Sequence, residues 1–261
     1  VVVTATRTQL PPSALPLTID VIDATSLARQ VQISGSTVDA VSALLPSFSP
    51  TREKLSGAGE SLRGRSPLYA TTGGVVNQVT VGAPASNGVN LRTLIQGTAA
   101  DGFRSSEMGG KLAGLVGYRA GNFDMNVGAS FERRGAYADG HGNRIGVDGT
   151  QGEIQDSDSR SVFARLGYQL SSSARIDVVA NRFELEGNSH YVAVPGNRAT
   201  GVPTTSVPGS TPGVPATNRA EMLSAALTDT DLGGGTLLVQ TFFSRTRDIF
   251  GGGTFATFQD P

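Results

Sequence analysis

From about residue 87 onward, apolar and polar residues alternate with a period of two, the repeat of a strand with two unlike faces. Phe123, Met125, Val127, Ala129 and Phe131 share one parity, and Asp124, Asn126, Gly128, Ser130 and Glu132 the other. Val162, Ala164, Leu166, Tyr168 and Leu170 repeat the pattern, with Phe163 breaking the polar side. Weaker versions run over residues 89–96, 111–119, 176–185, 221–229 and 237–247, giving about seven strands. The parity of the fifth changes near Arg182, which predicts a β-bulge there.

The alternation alone fits a soluble sandwich as well as a membrane barrel. The connections separate the two. Arg119-Ala120-Gly121-Asn122, Ser171-Ser172-Ser173 and Leu232-Gly233-Gly234-Gly235 are tight turns, whereas residues 135–159 and 187–218 are long. Short turns at one rim and long loops at the other are the expected form of an outer-membrane barrel. The Pro/Gly/Thr-rich stretch from Pro195 to Pro215 reads as a flexible loop.

Residues 1–83 read differently. Residues 17–23 have the β-branched content of a short strand. Ser36 or Thr37 caps a helix with Val38, Val41, Leu44 and Leu45 on one face, stopped by Pro46. Residues 47–64 read as a loop, followed by a strand near residues 73–81. This is a small α+β unit with little core of its own.

Composition narrows the function. The 34 glycines are about twice average usage, which suits turns and close backbone packing. A net charge of -1 gives no electrostatic reason to expect nucleic acid as a partner. The lack of cysteine excludes disulfides and thiolate chemistry. No apolar run is long enough for a membrane-spanning helix, which leaves a barrel open. The first residues lack the pattern of a signal peptide, so any such segment is expected to have been removed. His141 and His190 lie in different loops without metal-ligand spacing, and no Gly-X-Ser-X-Gly elbow occurs. Gly57-Ala58-Gly59-Glu60-Ser61 is neither a dinucleotide nor a phosphate loop, so no enzyme activity is expected.

Val1-Val2-Val3-Thr4-Ala5 opens the chain as an extended segment, which read alone is equally an ordinary N-terminal strand. Such a segment is able to add to another protein's sheet edge. It resembles the TonB box of outer-membrane receptors, without the acidic residue and threonine that often precede the valines. The resemblance continues in order through Leu15-Pro16-Leu17-Thr18-Ile19-Asp20-Val21-Ile22-Asp23, Leu44-Leu45-Pro46, Ser61-Leu62-Arg63-Gly64-Arg65 and Thr72-Gly73-Gly74-Val75-Val76-Asn77, which look like landmarks of the TonB-dependent receptor plug. Residues 136–145 and 155–159 are similar to the early barrel of ferric-siderophore receptors, within which the nearest branch is the ferric aerobactin receptors, transporters of a citrate-hydroxamate siderophore.

The resemblance implies a mainly β chain: a coupling segment at residues 1–10, a partial α+β plug at 11–86, and the first antiparallel strands of a transmembrane β-barrel at 87–261. It implies a Gram-negative outer-membrane location, lipid around the barrel, TonB bound by Val1 to Ala5, and a ferric siderophore as transported ligand. Cofactors are then none, the iron arriving on the siderophore, and residues 135–159 and 187–218 face outward from the cell. A surface binding protein or passive pore with a similar barrel is the alternative. Two departures stand out. The family's few tens of residues between Tyr69 and Ala70 are missing, and the chain stops at Pro261, short of the family's barrel of about 22 strands. A fragment of a receptor, with an internal deletion in the plug, is the resulting expectation.

A ferric siderophore is bulky, oxygen-rich and often anionic, so cationic and aromatic groups recognise it. The candidates are Arg52, Arg63 and Arg65 in the plug and Tyr137, His141, Arg144, Tyr191 and Arg198 in the outer loops. Each alone also fits a solvated loop position or a structural salt bridge, and Arg63 a plug-to-barrel anchor.

Overall fold

The computed structural model describes residues 22–23, 26–27, 29–30, 37–45, 48–50, 60–62, 82, 84–99, 103–148 and 152–252. The chain divides into two units, one of residues 1–53 and 58–80, the other of residues 54–57 and 81–261.

In the first unit the Asp23 carboxylate accepts hydrogen bonds from the Ser26 N–H (2.9 Å) and hydroxyl (2.7 Å), an N-cap on a helical turn. Helix α1 (Thr37–Leu44) follows, its last turn closed by Leu45 N–H donating to the Val41 carbonyl. Ala40 is fully buried, whereas Leu44, expected on the packed face, is exposed. Strands β1 (Phe48–Pro50) and β2 (Glu60–Leu62) pair antiparallel inside the stretch expected to be a loop. Three-residue strands are too short to leave a readable alternation. The strands expected near residues 17–23 and 73–81 fall largely or wholly outside the described residues.

The second unit is a seven-stranded antiparallel sheet: β3 (Gly88–Thr98), β4 (Gly109–Ala120), β5 (Phe123–Arg134), β6 (Ser157–Gln169), β7 (Ala174–Gly187), β10 (Thr217–Leu232) and β11 (Gly235–Ile249), adjacent in that order. All seven strands legible in the sequence are present, each longer than expected by a few residues. A separate hairpin of β8 (Tyr191–Val194) and β9 (Thr205–Pro208) stands within the stretch between β7 and β10. Strand β9 lies in the stretch from Pro195 to Pro215 that was expected to be a flexible loop; Thr205 and Val207, facing the β-branched residues of Tyr191-Val192-Ala193-Val194, favour the ladder instead.

The sheet is inverted relative to a soluble one. On β5 Val127 and Phe131 are 40% and 42% exposed, while Asp124 and Asn126 retain 1% and 3%. The register carries this outer face across the sheet, where Leu91, Val116, Val127, Ala164, Ala180, Leu223 and Phe243 stand in one row. The next row holds Val89, Tyr118, Met125, Leu166, Val178, Ala225 and Thr241. A continuous apolar face of this extent exceeds what a monomer shows to water. Apolar outside and polar inside is the arrangement of a barrel wall in lipid.

The inner face holds a closed network of charges. Arg175 donates to Asp124 (2.8 Å) and Asp177 (2.9 Å), and Arg165 bridges the same two carboxylates. Gly167 lies beneath, and a Cβ there would meet Arg175 Nη2 and Asp124 Oδ1, so a side chain would displace the pair. Beside it, Asn126 Nδ2 donates to the Gly82 carbonyl (2.8 Å) and Arg119 to that of Pro84 (2.9 Å), which holds the approach to β3 against this face.

The rims differ in kind. At one, Gly121 (φ 54°) turns β4 into β5, a serine turn joins β6 to β7, and Gly233 and Gly234 (φ 61° and 82°) join β10 to β11. Two positive φ values in a two-residue loop match the strand twist, and glycine adopts them without strain. The long connections, from β3 to β4, from β5 to β6 and from β7 to β10, all begin and end at the opposite rim.

A β-bulge was expected near Arg182. Strand β7 pairs continuously with β6 and β10 and has no bulge at Arg182; the register shift lies between Asp229 and Leu232 of β10. The change of parity is a change of environment instead. Toward the long loops the outer face leaves the apolar band, and Arg182 and Glu184 occupy outer positions there, registered against Val162 and Arg160.

Candidate functional site

The long loops are joined to one another at several points, and Asp156 is the principal one. It sits just before β6 with φ 47°, a left-handed conformation that Asp tolerates better than most residues. Its N–H donates to the Gly135 carbonyl (3.0 Å), and its own carbonyl accepts from Asn188 (2.8 Å). Its carboxylate accepts from the His190 N–H (2.8 Å) and lies 2.9 Å from His190 Nδ1. The second and third long loops are thereby fixed together at their roots.

Arg144 supplies another junction. Its guanidinium lies over the Tyr191 ring, 4.8 Å from the centroid, and donates to the Ser106 hydroxyl at 3.2 Å. A planar cation on an aromatic face is favourable where water is partly excluded. Arg104 donates to the Gly142 carbonyl (2.9 Å) and pairs with Glu107 (3.6 Å), and Ser206 donates to the Ile145 carbonyl (2.9 Å). The Glu107 side chain is fully buried, and neither carboxylate oxygen has a hydrogen bond among the described residues.

Gln155 organises the second loop from within. Its side chain accepts from the Tyr137 N–H (2.9 Å) and donates to the Gly146 carbonyl (3.0 Å) and to Glu153. At the loop's tip Asp139 accepts from the N–H groups of His141 (2.9 Å) and Asn143 (2.8 Å) and from the Asn143 side chain. Those bonds, foremost from Asn143, hold the Asp139 carboxyl below the ordinary aspartate value of 3.8. Between the second and third loops lies an open depression lined by Asp148, Glu153, Gln155, Asp156, Ser189 and Tyr191 among others.

The structure brings Arg144 and Tyr191 together out of the candidates named from sequence. His141 is exposed on the Asp139 turn, and Tyr137 lines the same loop with its ring partly exposed. Arg198 is exposed in a single 3-10 turn (Arg198–Thr200) capped by Asn197 at the end of the β8–β9 hairpin. Arg52, Arg63, Arg65 and the segment from Val1 to Ala5 lie outside the described residues. Sequence reading placed Gln155 and Asp156 in a receptor-like segment without naming either as a site residue, and did not single out Glu107 or Arg104. Asp156 and His190 lie 34 positions apart, and a polar residue in a polar loop carries no periodic signal. Among the described residues no cluster of His, Asp and Glu is arranged to hold a metal ion.

The rim therefore offers an aromatic and cationic platform next to an acidic, amide-lined hollow. It has hydrogen-bonding groups of both kinds.

The chain is 25% identical to a rhizobactin receptor of Rhizobium meliloti (strain 1021) over 96% of its length. It spans 40% of that relative's own length. No family model matches the chain, and no solved structure matches it significantly.

Proposed function

We propose that the chain is part of a TonB-dependent outer-membrane receptor that imports a ferric siderophore without altering it chemically. The observation that carries this reading is the inverted sheet with all its long loops at one rim. It supports a lipid-embedded wall with a binding face at one end. Similarity to a rhizobactin receptor along nearly the whole chain supports a receptor role, and the ordered plug-like motifs support TonB coupling.

In this reading residues 1–10 form the coupling segment, 11–86 a partial plug and 87–261 barrel wall. TonB pairs with Val1 to Ala5 in the periplasm by strand addition. The loops face outward, and Tyr137, His141, Arg144, Tyr191 and Arg198 contact the ligand together with Arg52, Arg63 and Arg65 from the plug. A ligand of the citrate-hydroxamate type presents carboxylates to the arginines and apolar methylenes to the tyrosines. Iron enters as the ligand's cargo, and no resident cofactor takes part.

Uptake of a radioiron-labelled citrate-hydroxamate siderophore tests this, in Gram-negative cells where the gene supplies the receptor for that ligand. Uptake is expected with the gene and lost when residues 1–5 are deleted. Undiminished uptake after the deletion sinks coupled transport in favour of a passive pore. Binding without preference for the iron-loaded ligand sinks the siderophore assignment.

A further inference from the structure

Where the apolar band of the outer face ends, arginines gather on four adjacent strands. The row above Phe243 holds Val162, Arg182, Glu221 and Arg245, and the next holds Arg160, Glu184, Arg219 and Arg247. The two acids are already engaged. Glu184 accepts from Arg219 (2.6 Å) and Arg182 (3.3 Å), and Glu221 pairs with Arg182 at 3.3 Å. Among the described residues Arg160, Arg245 and Arg247 form no ion pair or side-chain hydrogen bond, and all three are exposed.

The placement of Arg247 is itself unfavourable for the chain alone. It stands directly opposite Arg219 across the β10–β11 ladder, and facing like charges destabilise a sheet. Farther up, Arg133 meets Asp158 at 3.7 Å, and Glu186 offsets part of the positive charge. A surplus remains at the boundary itself, against the exposed apolar residues Leu223 and Phe243.

We propose that this surface binds the phosphate of an anionic lipid headgroup in the leaflet on the long-loop side. Arginine is suited to the task, because its planar fork donates two parallel hydrogen bonds to a phosphate. A phosphate between Arg219 and Arg247 relieves their repulsion, Arg245 reaches it from two residues below, and Arg160 extends the surface along the row. The acyl chains of the same lipid then lie along Leu223, Phe243 and the band beneath. A free anion gains no such apolar contact, which assigns the site to a lipid.

The inference rests on the membrane placement of the outer face. Lipid binding is read with no iron ligand present, so its failure and a failure of uptake are separate results. The test titrates the full chain, folded in a neutral maltoside detergent, with short-chain phosphatidylglycerol and with phosphatidylcholine of the same acyl length, counting bound lipid by native mass spectrometry. Each arginine at an anionic surface is worth about fivefold in affinity, so phosphatidylglycerol is expected to bind at least about tenfold more tightly. The triple variant R160Q/R245Q/R247Q is expected to lose that preference, whereas R160K/R245K/R247K and the inner-face control Arg92→Gln keep it. Equal binding of the two lipids overturns the proposal, as does a preference that survives in the glutamine variant or vanishes in the lysine variant. Displacement of phosphatidylglycerol by an equal concentration of inorganic phosphate overturns the assignment to lipid.

Discussion

The wall and the rim of this protein are held together in different ways. In the wall, residues have neighbours fixed by ladders that join every strand from β3 to β11 in the sheet, and the two faces are sorted by polarity. At the rim, single side chains such as Asp156, Gln155 and Arg144 hold backbone or rings from distant parts of the chain. A wall built by repetition spreads its stability over many similar contacts. A rim built from individual clamps concentrates it in a few, which leaves the loops between them free to vary in sequence.

The largest effect is expected in the wall. Val127→Arg places a charge in the apolar band and should cost about 2–4 kcal/mol, measured by urea unfolding in phospholipid vesicles. Ser130→Arg, on the inner face of the same strand, should cost less than about 1 kcal/mol, since polar surroundings accept it. Equal costs at the two positions would remove the distinction between the faces.

Asp156→Ala should weaken the rim and spare the wall. It removes the carboxylate that fixes His190 and leaves alanine at a positive φ, a loss of about 1–3 kcal/mol. Amide hydrogen exchange should quicken at Asn188 and His190 while β5 and β6 keep their protection. Quickening throughout β6 would show that the clamp belongs to the wall.

The smallest effect concerns the exposed turn at Asp139. Its carboxyl is depressed in the folded state by hydrogen bonds from Asn143 and His141, so it contributes stability above the ordinary aspartate value of 3.8. That contribution disappears as pH falls through the depressed folded value. Exchange of the Asn143 amide should accelerate over that acidic range, and Asp139→Asn should flatten the response. A pH response unchanged in Asp139→Asn would assign it to another group.

This division also explains what the sequence disclosed. Phe123 to Phe131 alternates cleanly because every second side chain meets the same surroundings along the strand. Beyond Ala180 the surroundings on the outer face change from apolar to charged, and there a change of environment at Arg182 imitates a bulge. Strands β8 and β9 have four residues each, too few for a period to stand out from composition. The inner network was half visible, since Asp124 and Arg165 fall on the polar parity of their strands, but the closure through Arg175 depends on register. In the rim, Arg144 was legible as a cation and Tyr191 as an aromatic; that they stack is a consequence of folding.

The order of strands in the sheet follows their order in the chain, with the β8–β9 hairpin set aside as an excursion between β7 and β10. Assembly on this plan rarely waits for a remote segment, because each strand of the sheet after β3, apart from β10, pairs with the strand completed just before it. Short-range pairing of this kind keeps the loop-closure entropy cost small at the tight hairpins. The hairpins turning at Gly121, Ser171–Ser173 and Gly233-Gly234 are then the natural units of addition, and the apolar outer surface grows by one hairpin at a time.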